Sequence, residues 1–459
     1  MSPTPNSAAI SGVNTSAGAG LQRLAAIGCV LAGLALVVLD AVIANVALPA
    51  MAGSLQVAPA AAVRVVTAYQ MALVMTLLPC AALGERFGYR RVYTGGVALF
   101  VGASAACAVA PSLSFLIAAR FVQGLGGAAI MALSVALLRR IVSERQLGAA
   151  IGWNTLTVAL SSAAGPTLGA LVLSKWSWPW LFALNLPLGA LVLIATRALP
   201  RVRSSTRELD TVSIALNAAA FAALIAAAEI APDRPALAAS LFSAGVFAMT
   251  ALIRRELPKH TPVVPLDLLR EAPFRISVIA SVCCFIGQSA ALVSLPFYLQ
   301  HVLGRDMLRT GLLMTPWPLT VALVAPFAGR LVDRISGGWL CALGGTVLAI
   351  GLASIALWPV PDTSLIALLM ICGAGFGLFQ VSNNRNLFLS APAERSAAAG
   401  GMQSTARLTG QTLGAVLVTL LFTLAPMDIA PRIGLALAAT LTLSAGLIST
   451  LRASRRAQG

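Results

Sequence analysis

Long apolar runs constrain this chain more than any other feature of its sequence. Fourteen stretches, each long enough to cross a bilayer, follow one another with polar connections between them. They lie near residues 24–46, 63–83, 92–110, 113–138, 147–173, 178–199, 211–230, 236–253, 274–300, 309–331, 338–358, 364–389, 397–424 and 432–451. Because a bilayer core requires about 20 apolar residues per helix, the sequence predicts an all-α polytopic membrane protein.

The charged residues argue against a soluble protein and against a nucleic-acid partner. Only 10% of the 459 residues are charged and 58% are hydrophobic, whereas soluble domains carry about 25% charged residues. The net charge of +16 is concentrated in alternate connections, at residues 86–91, 139–145, 201–207, 254–259, 330–334, 395 and 452–456. Since basic loops stay in the cytoplasm, both termini are predicted to be cytoplasmic.

Residues 200–273 divide the chain into two blocks of six spans. The predicted domains are a disordered cytoplasmic tail at 1–20, an N-terminal six-helix half at 21–199, a linker with two extra transmembrane helices at 200–273, a C-terminal six-helix half at 274–452 and a basic tail at 453–459. Two six-helix halves around a central cavity form an arrangement that many secondary transporters use.

The pattern of cysteines, histidines and glycines argues against enzymatic chemistry. The seven cysteines lie within apolar runs without metal-ligand spacing, and the two histidines, His260 and His301, lie near loops. The glycine-rich stretches at 124–127 and 373–377 do not follow soluble strands, and the chain has no Walker A motif. We therefore expect no cofactor, no metal and no enzyme, and coupling to an ion or solute gradient instead of ATP.

Asp40 suggests a mechanism, because a charge inside a membrane span is costly and usually functional. It lies roughly six residues from the outer end of its span, and Arg120 lies roughly seven residues from the outer end of span four, which at about 1.5 Å per residue gives similar depths. We predict that Asp40 carries protons and that Arg120 pairs with it. A fixed ion pair or an outward-pointing arginine is the alternative, and Glu229 is a second candidate proton site.

A charged turn between spans two and three predicts a gate at the cytoplasmic side. It places Glu85 beside Arg86 and Arg90, and the second half repeats the pattern with Asp333 and Arg334. Ion pairs among these residues would open and close as the halves move. An ordinary basic turn is the alternative.

A glycine-proline pair in span five predicts a bend between the moving halves. Gly165 and Gly169 are spaced for close helix contact, and Pro166 weakens the local helical hydrogen bonding. Close packing alone would also explain the three residues.

Polar side chains within apolar spans predict a substrate path. They are Gln123, Gln380, Asn383, Asn384, Gln403, Arg407 and Gln411. Arg407 is about 15 Å from the inner end of its span, and the second half offers no acid at that depth. An unpaired buried cation is costly, so Arg407 would meet Asp40, be hydrated, or bind an anionic or carbonyl-bearing substrate. The last alternative predicts a neutral or acidic amphipathic substrate.

Four ordered segments resemble motifs of the major facilitator superfamily, in particular its fourteen-span drug:proton antiporters. Residues 39–49 are similar to the first-helix motif, 84–91 to the Gly-x-Leu-Ala-Asp-Arg-x-Gly-Arg-Lys loop, 120–128 to Arg-x-x-Gln-Gly and 165–169 to Gly-Pro-x-x-Gly. Residues 178–189 resemble the start of the sixth span. Glu85 stands where the family usually has Asp, and Arg64 where Trp is common.

This resemblance implies the major facilitator fold, with two six-helix halves plus two extra central helices. It also implies proton-coupled export of small amphipathic organic molecules, such as drugs or toxic compounds, by alternating access across the bacterial cytoplasmic (inner) membrane. The partners would be protons, the substrate and the lipid bilayer, and the protein would function as a monomer. A dedicated exporter of one self-made metabolite, including an anionic one, is the alternative.

Overall fold

The computed structural model describes residues 8–200, 210–231, 234–256, 266–332, 334–358, 360–391 and 396–456. Within these ranges the regular structure is helical, without a β-strand. The helices are α1 (Ala8–Ser54), α2 (Pro59–Phe87), α3 (Tyr89–Ala108), α4 (Leu113–Ile141), α5 (Glu144–Lys175), α6 (Pro179–Ala183), α7 (Asn185–Ala195), α8 (Thr211–Ile230), α9 (Pro235–Glu256), α10 (Ala272–Phe297), α11 (Met307–Met314), α12 (Pro316–Leu331), α13 (Gly337–Leu357), α14 (Asp362–Leu389), α15 (Ser396–Leu424) and α16 (Ala430–Arg456).

Fourteen candidate membrane-spanning segments lie within the described residues, which confirms the predicted number. They are long and apolar enough to cross a bilayer, and most begin and end within a few residues of the predicted positions. Helix α1 begins at Ala8, inside the segment 1–20 for which the sequence predicts a disordered tail. That segment is uncharged and contains several alanines, which favour the helix. Residues 1–7 lie outside the described ranges.

Two of the spans are interrupted by proline. The span Pro179–Ala198 is divided between α6 and α7, and the span Met307–Leu331 is divided between α11 and α12. Proline lacks an N–H group and clashes with the carbonyl four residues before it. Pro187 and Pro318 therefore explain why α6 ends at Ala183 and α11 ends at Met314.

The helices pack as two groups with an added hairpin. Helices α1–α7 contact one another, α10–α16 contact one another, α9 packs on α8, and α8 packs on α2 and α15. The two groups meet along the pairs α1/α10, α5/α11, α5/α12 and α2/α15. This packing places α8 and α9 beside the two halves, whereas the boundaries proposed at residues 200 and 273 stay a prediction.

The two ends of the bundle differ in charge. We call the end that holds Arg90, Arg139 and Arg140 the arginine-rich end. Towards the opposite end, α1 and α10 share an apolar cluster that includes Leu48 and Phe297. The two halves are thus joined by apolar packing on the side away from the arginines.

Candidate functional site: a buried carboxylate network

Asp40 lies in a buried hydrogen-bond network formed by α1, α3, α4 and α7. Its Oδ2 accepts a hydrogen bond from Nη1 of Arg120 at 2.5 Å. Its Oδ1 accepts from Nε2 of Gln123 at 3.0 Å and from Nδ2 of Asn185 at 2.7 Å. Asp40 is 3% exposed and Arg120 is fully buried. The pairing predicted from depth is therefore present, and both carboxylate oxygens have donors.

Ser104 and Gln123 hold the other members of the network in place. Ser104 Oγ accepts from Nε2 of Gln123 at 2.8 Å and from Nδ2 of Asn185 at 3.4 Å. Gln123 Oε1 accepts from Nη1 of Arg120 at 2.6 Å. Because both ends of the Gln123 amide are bonded, its orientation towards Asp40 is fixed.

The Arg120 guanidinium is stabilised by aromatic rings as well as by the carboxylate. Its Cζ lies 4.2 Å from the ring centroid of Tyr69 and 5.5 Å from that of Phe182. A desolvated cation–π contact contributes about 2 kcal/mol. Nε donates to the carbonyl of Val65 at 3.4 Å, while Nη2 is buried without a hydrogen-bond partner. The charge thus has several partners but retains one unused donor group.

Asn185 and Ser104 are members of this network that the sequence interpretation missed. Asn185 is a lone amide in the apolar stretch 181–189, and a strongly polar side chain within a span is a signal that could have identified it. Ser104 carries no comparable signal, because serine in a helix commonly bonds the carbonyl four residues earlier. It does so here, donating to Phe100 at 2.8 Å.

The charged gate residues that the structure describes lie at the arginine-rich end. Glu85 is exposed near the end of α2, and Arg86 and Arg90 are partly buried. Arg90 donates from Nη1 to the carbonyl of Leu199 at 3.3 Å. Arg334 is exposed, and Asp333 lies outside the described residues. Their gating role stays a prediction.

The glycine-proline segment of α5 lies between the two halves. Gly165 faces Val42 and Gly169 faces Ile43, both on α1. On the other side, the hydroxyl groups of Thr167 and of Thr315, the residue that follows α11, lie 2.5 Å apart. Helix α5 continues through Pro166, so the segment serves as a close contact, and its role as a bend stays a prediction.

We expect Gly165→Ala to weaken the packing of α5 on α1. A Cβ atom at this position would lie 2.6 Å from Cγ1 and 2.8 Å from Cβ of Val42, and overpacking of this kind costs about 1–3 kcal/mol. Thermal unfolding of the purified variant should show a lower Tm. Gly95→Ala is the matched control, because a Cβ there meets nothing within 4 Å. An unchanged Tm for Gly165→Ala would contradict the close contact.

The residues predicted to line a substrate path occupy three environments. Gln123 is fully buried in the Asp40 network. Asn383 donates to Ser281 Oγ at 2.8 Å, and Gln403 accepts from the same hydroxyl at 3.0 Å. The remaining four, Gln380, Asn384, Arg407 and Gln411, are partly buried. The structure does not pair Arg407 with Asp40, whose hydrogen-bond donors are Arg120, Gln123 and Asn185.

Glu229 lies apart from this network, on the added hairpin. It faces α2, where its carboxylate interacts with Arg64 and Thr67. One of its oxygens is buried without a hydrogen-bond partner. On the same helix, Asn217 donates to the carbonyl of Met75 at 2.9 Å, so α8 is attached to α2 by polar contacts at two levels. A role for Glu229 in proton binding stays a prediction.

The fourteen apolar helices define a multi-pass membrane protein, and it contains a buried ion pair. The Major Facilitator Superfamily model matches residues 30–415, so the chain belongs to that superfamily. Its members are transporters, and this chain is therefore a transporter and not an enzyme, as the sequence predicts.

Three known proteins illustrate the likeness. "Uncharacterized transporter YebQ" of Escherichia coli (strain K12) is 46% identical over 440 residues, which cover 94% of this chain and 96% of that protein. "Multidrug resistance protein Stp" of Mycobacterium tuberculosis (strain CDC 1551 / Oshkosh) is 32% identical over 390 residues, which cover 83% of this chain and 72% of that protein. A POT family transporter solved with a thioalcohol conjugated peptide has a TM-score of 0.72 at 14% identity, over 94% of this chain and 96% of that one. The last comparison concerns the fold alone.

Proposed function

We propose that this chain exports small amphipathic organic molecules in exchange for protons, by alternating access between its two halves. The observation that carries the proposal is the Asp40 carboxylate, which is 3% exposed and sits within a membrane span. Charged groups inside a membrane commonly mark proton relays or substrate paths. The likeness to the multidrug resistance protein from Mycobacterium tuberculosis supports export of drug-like compounds.

Asp40 and Arg120 would act as the coupling pair. Protonation of Asp40 removes its negative charge and weakens its bond to Arg120. The released guanidinium, which already has one unused donor group, would then find other partners. Since Asp40 Oδ1 also holds Asn185 of α7, a change at the carboxylate would reach α1, α4 and α7 together.

The contacts between the halves are the parts that would move. Thr167 and Thr315 join α5 to the end of α11, and these contacts would open when the cavity faces outwards. Glu85, Arg86, Arg90, Asp333 and Arg334 would close the opposite side in that state. The concentration of arginines there supports a cytoplasmic location for this end and for both termini, in the inner membrane of a bacterial cell.

A dedicated exporter of one self-made, anionic metabolite is the second candidate function. Arg407 favours it, because the described residues provide this cation with no hydrogen bond or ion pair. The two candidates share the proton-coupled cycle and differ in the range of molecules accepted.

Proton release from proteoliposomes tests the proposed cycle. The protein is reconstituted with a pH-sensitive dye inside vesicles whose interior is made more acidic than the outside solution, and ethidium, chloramphenicol and naphthoate are added outside, each in a separate experiment. We expect at least one compound to accelerate dissipation of the gradient compared with protein-free vesicles. Accumulation of a compound with no accompanying proton movement would rule out proton antiport and favour a uniport cycle.

A further inference from the structure

Arg407 and Gln411 point towards the centre of the bundle. On α15, Leu408 packs in an apolar cluster with residues of α2, and Gly410 faces Phe285 of α10. Leu413 is 37% exposed and marks the side of α15 that lies on the surface of the bundle. With about 100° per residue, Arg407 and Gln411 fall between the α2-facing and α10-facing sides and away from Leu413. They therefore face inwards between α2 and α10.

Gln380 of α14 reaches the same level from the other side of α10. Asn383 and Gln403 both bond to the hydroxyl of Ser281, which sets α14 and α15 at a common height. Along the helix axis, Gln380 lies about 4.5 Å further from the arginine-rich end than Asn383 does. Arg407 lies about 6 Å further from that end than Gln403 does. Both are partly buried, so an amide and a guanidinium stand at nearly equal depth on either side of α10.

The side chain of Gln380 also points towards the interior of the bundle. Phe376 of α14 contacts the ring of Phe285 on α10, with centroids 5.7 Å apart. Gly373 and Gly377 face α12, where they meet Trp317 and Val321 respectively. Gln380 lies between these two faces on the helical wheel. Its side chain is thus directed into the space between α10 and α12.

The carboxylates near Arg407 are engaged elsewhere or lie at the ends of spans. Helix α15 packs against α2, α8, α10, α14 and α16, whose acidic residues are Glu85, Glu229 and Asp362. Glu85 is exposed at the arginine-rich end, and Glu229 faces Arg64. Asp362 is bonded to arginines of the α10–α11 connection and of α11. A partly buried cation without a carboxylate partner is costly. An anionic ligand would supply the negative charge that Arg407 lacks.

We propose that Arg407, with Gln411 about one turn further along α15, binds a carboxylate group of the exported molecule, and that Gln380, at a similar level on α14, contacts the same molecule. Guanidinium matches the planar geometry of carboxylate with two parallel N–H···O bonds, and the glutamine amides add neutral donors. The substrate class is therefore an amphipathic organic anion with an apolar body. This assignment rests on the proposed function, since it concerns the molecule that the same transport cycle would carry.

Binding of three matched probes tests the assignment. Naphthoate, naphthamide and trimethyl(naphthyl)ammonium share one ring system and differ in charge, and their affinities are measured by calorimetry on the full chain in lipid nanodiscs. We expect naphthoate to bind about tenfold or more tightly than the other two, in line with the strength of hydrogen bonds to charged groups. Preferential binding of the ammonium probe, or no binding of naphthoate at millimolar concentration, would overturn the assignment.

Variants at Arg407 separate recognition from folding. Arg407→Gln should remove the preference for naphthoate and leave naphthamide binding unchanged, while Arg407→Lys should retain part of it. Arg330→Gln is the matched control, because Arg330 is exposed at the arginine-rich end and its loss should not change the preference. Equal weakening of all three probes in Arg407→Gln would instead indicate a structural role for the residue.

The same probes distinguish failure of the assignment from failure of the proposed function. Naphthoate binding without any substrate-driven proton movement would support the carboxylate site and contradict proton antiport. Proton movement driven by the ammonium probe alone would support antiport and contradict the carboxylate site.

Discussion

Asp40→Asn is expected to reduce substrate-driven proton movement to the level of protein-free vesicles. Asparagine preserves the size of the side chain and one oxygen acceptor, but its amide cannot take up and release a proton in the physiological range. The variant should still bind substrate, because the proposed Arg407 site lies on α15 while Asp40 belongs to the first half. The measurement is dye-reported proton flux in proteoliposomes, together with probe binding in nanodiscs.

Asp428→Asn is the control for this experiment. Asp428 is exposed in the connection between α15 and α16, so it offers the same chemical change at a site outside the network. Its proton flux should equal that of the wild type. If Asp40→Asn retained the full flux, Asp40 would be a structural partner of Arg120, and Glu229 would become the next carboxylate to replace.

Arg120→Ala is expected to destabilise the fold by about 3–5 kcal/mol, the usual cost of leaving one member of a buried ion pair alone. The truncation removes the bond of 2.5 Å to Asp40 and the contact with the Tyr69 ring. It also removes the hydrogen bond from Arg120 to Gln123 Oε1. Thermal unfolding in detergent should show this loss as a lower Tm.

A double variant separates the charge from the packing. If the unpaired carboxylate causes most of the damage, Asp40→Asn combined with Arg120→Ala should be more stable than Arg120→Ala alone. Arg139→Ala is the comparison, because Arg139 is exposed at the end of α4 and should change Tm little. Equal Tm values for Arg120→Ala and Arg139→Ala would mean that the buried pair contributes nothing to stability.

The pairing of Asp40 with Arg120 could be predicted from sequence because depth in a membrane is a one-dimensional quantity. Counting residues from span ends gives the height of each side chain, and only groups at similar height can meet. The lateral position of each helix was not accessible in this way. For that reason the contacts of Asn185 and Ser104 within the network were not predicted.

The contacts of Gln123 also could not be predicted from the sequence, although its position on the helix could. Its spacing from Arg120 correctly places both on one face of α4. The sequence could not determine whether that face meets an open cavity or a neighbouring helix. In the structure, the amide is fully buried and bonded to Asp40 and Ser104.

The sequence by itself determined the number of spans, the helical class and the asymmetric distribution of charge, because each depends on local composition measured against a bilayer of known thickness. Only the tertiary structure decided which partners the buried polar groups have. Partners on different helices, such as Asp40 and Asn185, are separated by 145 residues in the chain, and they meet through helix packing. That packing depends on the shapes of all the helices together, and no single segment of the sequence encodes it.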